Sequence, residues 1–119
     1  MLTAQDARTL ALALPGATQE DHHGRPSFRV HGKIFATLWT EEALNVMPGE
    51  ERILGAVAEA PQWCSKVHWG GRVAAVRVQL ALADRELVVD LLAEAWTRRA
   101  PRRLVRAFPF VQDGDERSA

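Results

Sequence analysis

Lys66, His68 and Arg77 are the side chains most open to a partner in this sequence, with Arg72 beside a glycine pair. Residues 63–80 read as a hairpin turning at Gly70-Gly71. With a two-residue loop, Val67 faces Ala74, Ser65 faces Val76 and Trp63 faces Val78. That register makes one face apolar. It gathers Cys64, Lys66, His68, Val73, Ala75 and Arg77 on the other. Cations on one face of a hairpin can neutralise phosphates, and Trp69 next to them offers a stacking surface. A hairpin with one solvated half shows the same pattern, so charge alone does not decide between a contact surface and a merely soluble one.

Three further groups bear chemistry. Arg98, Arg99, Arg102, Arg103 and Arg106 put five arginines in nine residues. They could meet phosphates. They also suit a helix C-terminus, where the macrodipole favours cations and arginine stems cover apolar surface. Glu20-Asp21-His22-His23 has metal-ligand chemistry, but neighbours on a strand point to opposite faces, so His22 and His23 do not simply share an ion. The expectation is no metal site. Cys64 and His68 stand four apart on a strand, about 13 Å between Cα atoms, too far for a thiolate–imidazole pair. No nucleophile elbow, phosphate loop, dinucleotide-binding glycine pattern or zinc-protease motif occurs in the sequence. The expectation is a protein without catalytic residues or cofactor.

The elements that must position these groups are legible in outline. The 119 residues make one domain the natural reading, and a single cysteine excludes an internal disulfide framework. Fifteen basic and fifteen acidic residues balance, which argues against a strongly basic nucleic-acid binder. The spread is uneven, however: residues 62–106 hold 9 basic and 4 acidic side chains, so a local basic surface is compatible with a neutral chain. No apolar run approaches the roughly 20 residues of a membrane span. The N-terminus lacks a basic leader and reads as a helix, and the location expected is the cytoplasm.

Thr3 and Asp6 form a capping-box pattern before a helix over residues 4–13, stopped by Pro15-Gly16. A short strand over residues 18–23 precedes a hairpin over residues 24–39, GRPSFRVHGKIFATLW, turning at His31-Gly32. A two-residue loop there pairs Val30 with Lys33 and Phe28 with Phe35, placing Phe28, Val30, Phe35 and Trp39 on one buried face. Residues 41–47 form another strand, with Leu44 and Val46 on one side and Asn45 and Met47 on the other. Pro48-Gly49-Glu50-Glu51 opens a helix whose buried stripe is Ile53, Leu54, Val57 and Ala58. A last helix over residues 84–99 carries Val88, Leu91, Leu92, Ala95 and Trp96 as its apolar stripe. Leu104, Val105 and Phe108 pack as a final turn, and residues 112–119 read as a frayed tail. Of the other tryptophans, Trp63 reads as core and Trp69 as exposed. Short hairpin connections imply an antiparallel sheet with N-terminal, middle and C-terminal helices, a single α+β domain over residues 1–111.

Leu14-Pro15-Gly16, the run from Gly24 to Leu38, and Glu94-Ala95-Trp96, in this order and spacing, resemble the MmcQ/YjbR family. The resemblance spans residues 2–108. It implies a frataxin-like α+β fold, described as a double-wing arrangement, and a DNA-binding role inferred from that fold. Iron binding of the frataxin type is not implied, because the first helix carries Asp6 alone.

The leading expectation is therefore a small, non-enzymatic, cytoplasmic protein that meets DNA phosphates through Lys66, His68, Trp69, Arg72 and Arg77. Arg25, Arg29 and Lys33 of the first hairpin would assist. The alternative is a protein- or small-molecule-binding module with no nucleic-acid role. An apolar pocket beneath the first hairpin, in place of a continuous positive face, would favour that alternative.

Overall fold

A computed structural model describes residues 1–108; the expected tail, residues 112–119, lies outside the described residues. Four pairs of adjacent strands are closed by two-residue turns: His23-Gly24, His31-Gly32, Glu41-Glu42 and Gly70-Gly71. The six residues of the three turns that contain glycine have positive φ, from 52° at His31 to 85° at Gly24. Positive φ at both central positions matches the right-handed twist of the flanking strands, and glycine reaches it without steric cost.

The elements run α1 (Ala4–Leu12), β1 (Ala17–His22), β2 (Arg25–Val30), β3 (Lys33–Thr40), β4 (Ala43–Val46), α2 (Glu50–Glu59), β5 (Cys64–Trp69), β6 (Arg72–Gln79), α3 (Arg85–Arg99) and α4 (Arg102–Ala107). The strands form one antiparallel sheet in the order β1-β2-β3-β4-β6-β5. The fold is the expected α+β class. The Thr3–Asp6 capping box is formed in both directions. Its hydrogen bonds from the Thr3 backbone and hydroxyl hold the Asp6 carboxyl below the usual carboxylate range. Asp84 caps α3 by accepting from the Leu87 amide at 3.1 Å.

One sheet face carries Leu44, Val46, Val76 and Val78, all completely buried beneath the helices. From α3 the stripe Val88, Leu91, Leu92, Ala95 and Trp96 is buried as expected. Ala7 and Ala11 are the small residues at which α1 joins this core. The α2 stripe differs from the expectation. Ile53 and Ala56 are buried and Val57 packs beside them, while Leu54 is 42% exposed and Ala58 is exposed. Leu104 and Val105 rest against the core, whereas Phe108 is 36% exposed.

Three register shifts re-aim side chains. In β2–β3, Phe28 pairs with Ala36 and Arg29 with Ile34, leaving Phe35 as an extra residue, so Phe28 does not face Phe35. In β3–β4, Leu38 pairs with Leu44 and Thr40 with Ala43, leaving Trp39 over. In β5–β6, Val67 pairs with Ala75 and His68 with Val73, leaving Ala74 over. Each bulge inserts one residue and reverses the alternation beyond it. Trp39 accordingly leaves the Phe28 face and lies on the opposite side of the sheet.

The same shift overturns the expected basic hairpin face. Ser65, not Lys66, shares a side with Arg77, and Lys66 pairs with buried Val76. Lys66 and Arg77 point to opposite faces of the sheet. Cys64 pairs with Val78 on the helix-covered face and is buried, while Trp63 precedes the strand and only packs at the core margin.

Candidate functional site

The sheet face away from the helices is crossed by a polar row. Following the strand partners, Glu20, Ser27, Thr37, Asn45, Arg77 and Ser65 stand side by side from one edge to the other. Ser27, Thr37 and Asn45 are the buried polar residues among the described residues, and they are consecutive in this row. Buried polar groups are costly unless paired. Ser27 Oγ donates to the Glu20 carbonyl at 2.8 Å and accepts from Arg29 Nε at 3.1 Å. Asn45 Oδ1 accepts from Arg77 Nε at 3.0 Å. Asn45 Nδ2, on a residue only 1% exposed, has no partner.

Trp39 forms a post beside this row. The Arg25 guanidinium lies 3.8 Å from the ring centroid and that of Arg77 4.8 Å. Arg25 Nε also donates to the Trp39 carbonyl at 2.9 Å. These two arginines are thus engaged in stacking and hydrogen bonding on the sheet surface, half-buried, rather than held out on a wing.

Next to the post opens a cleft of about 620 Å³. Thr37 and Asn45 form part of its lining, with Ile34, Trp39, Met47 and Trp69 as apolar walls. Arg25, Lys33 and Arg99 supply the charge, and among the described residues no aspartate or glutamate lines it. His22 and His23 complete the lining. Their rings meet edge-on at 4.4 Å because His23 sits in the turn with φ of 54°, so the expectation that neighbouring strand residues diverge does not apply. Among the described residues, no three His, Cys, Asp or Glu side chains gather into a metal-ligand set.

Arg99 enters from the last turn of α3. Its Nε is buried and unpartnered. Burial, with Arg98 alongside, lowers the guanidinium pKa from its ordinary value. A smaller depression of about 290 Å³ shares Met47, Trp69 and Arg99 with the cleft and extends to Glu50, Arg72 and Arg98.

The residues expected to form one contact surface therefore divide. Arg25, Lys33 and Trp69 line the cleft, and Arg77 braces its Asn45 wall. Arg29 is tied to Ser27 and lies 3.9 Å from Glu20. Lys66, His68 and Arg72 are exposed at the second hairpin, where Trp69 is 47% exposed. Asn45 and Met47 were legible as a shared side of one strand. Their role, and that of Thr37 and Arg99, required the cross-strand register.

Cys64 belongs to the opposite face. Burial, with a smaller push from Glu59, raises its thiol pKa from 9.0 to about 11. The unfolded thiol loses its proton first, so this cysteine's stabilising contribution should decline as pH rises from about 9 towards 11. At pH 8 an aromatic disulfide reagent should label the native chain at least tenfold more slowly than the urea-unfolded chain. Equal rates would contradict the buried placement.

A crystal structure of the Deinococcus radiodurans protein DR2400, described as a DUF419 domain, superposes with a TM-score of 0.67. It is 20% identical to this chain, and the match covers 81% of this chain and 77% of that one. At that identity the likeness establishes the fold. No match is found among curated proteins. Among the described residues, no helix is long and apolar enough to cross a membrane. The family model described as YjbR matches residues 12–98, which include the polar row and all but one of the residues lining the cleft. The chain belongs to the YjbR family.

Proposed function

We propose that this YjbR-family chain is a non-enzymatic binding protein whose site is the cleft on the open face of the sheet, and that its ligand is a small molecule. The observation that carries this reading is Asn45. An almost fully buried amide whose Oδ1 is committed to Arg77 leaves Nδ2 without an acceptor in a cleft that can supply one from a ligand. A volume of about 620 Å³, mostly apolar walls and a few directed polar groups are the usual attributes of a small-molecule site. Cys64 lies on the other face of the sheet, away from the cleft.

The test is a screen of several hundred small fragments by protein-observed NMR. It is run on the native chain and on Ile34→Trp, which fills the cleft from a half-buried wall position. Hits that shift cleft resonances in the native chain and disappear in Ile34→Trp, with the melting temperature preserved, are expected. The absence of any cleft hit would overturn the reading.

DNA binding is the second reading, favoured by the exposed cluster of Lys66, His68, Trp69 and Arg72 at the second hairpin. The opposed faces of Lys66 and Arg77 confine such a contact to the hairpin tip. If it operates, a labelled duplex should bind at low salt, and Lys66→Ala and Arg72→Ala should each lower the salt slope by about 1. No change in anisotropy at low salt would dismiss it.

A further inference from the structure

Resting on the cleft as the binding site, the charge and donors around it specify a ligand class. We propose that the cleft takes an organic carboxylate with a flat apolar body. The carboxylate accepts from Asn45 Nδ2 and Arg99 Nε, and the body lies against Ile34, Met47 and Trp69.

The donor set comes first. Arginine has no acceptor, so only Oδ1 of Asn45 can receive the Arg77 hydrogen bond. That fixes the orientation of the amide and makes Nδ2 the free end. Arg99 Nε is the other buried side-chain nitrogen or oxygen without a partner among the described residues, and it belongs to the same cleft. Both groups are donors. Asn45 Nδ2 carries two N–H groups and Arg99 Nε one, enough to meet both oxygens of a carboxylate.

Charge points the same way. Arg25, Lys33 and Arg99 line the cleft with no carboxylate side chain of the described residues among them. Arg25 is already committed to Trp39 through its carbonyl and ring. Arg99 is not committed through Nε, and its neighbour Arg98 donates instead to the Met47 carbonyl at 3.4 Å. An incoming anion would satisfy Arg99 and offset the cost of its burial. Ile34, Met47, Trp39 and Trp69 add aliphatic, thioether and indole surfaces, with the His22 and His23 rings at the margin. The apolar walls suit a planar apolar body.

The matched probes are 2-naphthoate and its neutral isostere 2-naphthamide, titrated calorimetrically into the full chain. The expected result is naphthoate binding at least tenfold tighter than naphthamide. Arg99→Met, which keeps the apolar stem, should reduce naphthoate affinity at least tenfold and bring the two ligands together. Arg99→Lys, which keeps the charge, should recover part of the loss. Arg99 is only partly buried, so these variants should fold. Asn45→Ala should weaken naphthoate similarly. Equal affinities for acid and amide in the native chain would overturn the anion assignment while fragment hits in the cleft still upheld the site. Failure of both naphthyl probes, with neutral fragments binding, would also overturn it. Failure of every probe and fragment would remove the site itself.

Discussion

Trp96→Ala should destabilise the chain by about 3–5 kcal/mol, read as a fall in the urea midpoint with little change in slope. Trp96 is completely buried on α3, and its indole Nε1 donates to the Pro15 carbonyl at 2.8 Å. That bond ties the last long helix to the turn after α1, 81 residues earlier. The substitution removes a large buried ring and leaves the carbonyl without its indole donor. Against a typical total of about 5–15 kcal/mol, the loss is a substantial part of stability. Trp96→Phe separates the two effects, because it keeps most of the ring volume and deletes the donor. It should cost about 1–3 kcal/mol. A loss below 1 kcal/mol for Trp96→Ala would contradict the central packing of this residue.

Trp39→Ala carries the largest expected effect on binding. The ring is a wall of the cleft and the surface on which Arg25 and Arg77 rest. Its removal should abolish naphthoate binding, because Arg77 loses the support from which it orients Asn45. Each lost cation–π contact should cost only about 0.5–1 kcal/mol of stability, so the variant remains folded. The same change uncovers the guanidinium faces of two arginines on the open face, which keep their Nε hydrogen bonds. If DNA met the protein through Arg25 and Arg77, duplex affinity would rise in Trp39→Ala. The cleft account predicts ligand loss without a gain in duplex binding. Unchanged naphthoate affinity would exclude Trp39 as a wall.

The turns were readable because His31-Gly32 and Gly70-Gly71 announce positive φ, and the α3 stripe because five apolar residues keep helical spacing. The bulges were not. Phe35, Trp39 and Ala74 carry no mark distinguishing an extra residue from an ordinary strand position, and alternation counted from the turn fails by one past each. That single step moved Trp39 to the open face and split Lys66 from Arg77. In α2, Leu54 looked buried by hydrophobicity, but the helix turns the small Ala56 towards the sheet. The polar row was hidden for a related reason. Ser27, Thr37 and Asn45 sit on three different strands, and only the register across the whole sheet makes them neighbours. Arg99 read as one cation in an arginine run; the end of α3 relative to the sheet decides that this residue lines the cleft.

The most direct test of the account follows two nitrogens. In a ¹H–¹⁵N spectrum of the full chain titrated with 2-naphthoate, the Asn45 side-chain amide and the Arg99 Nε–H should both shift and saturate together, and both responses should be absent with 2-naphthamide or much weaker. If those two resonances stay fixed while naphthoate shifts signals elsewhere, such as Lys66 to Arg72 at the second hairpin, the cleft is not where this chain holds an anion.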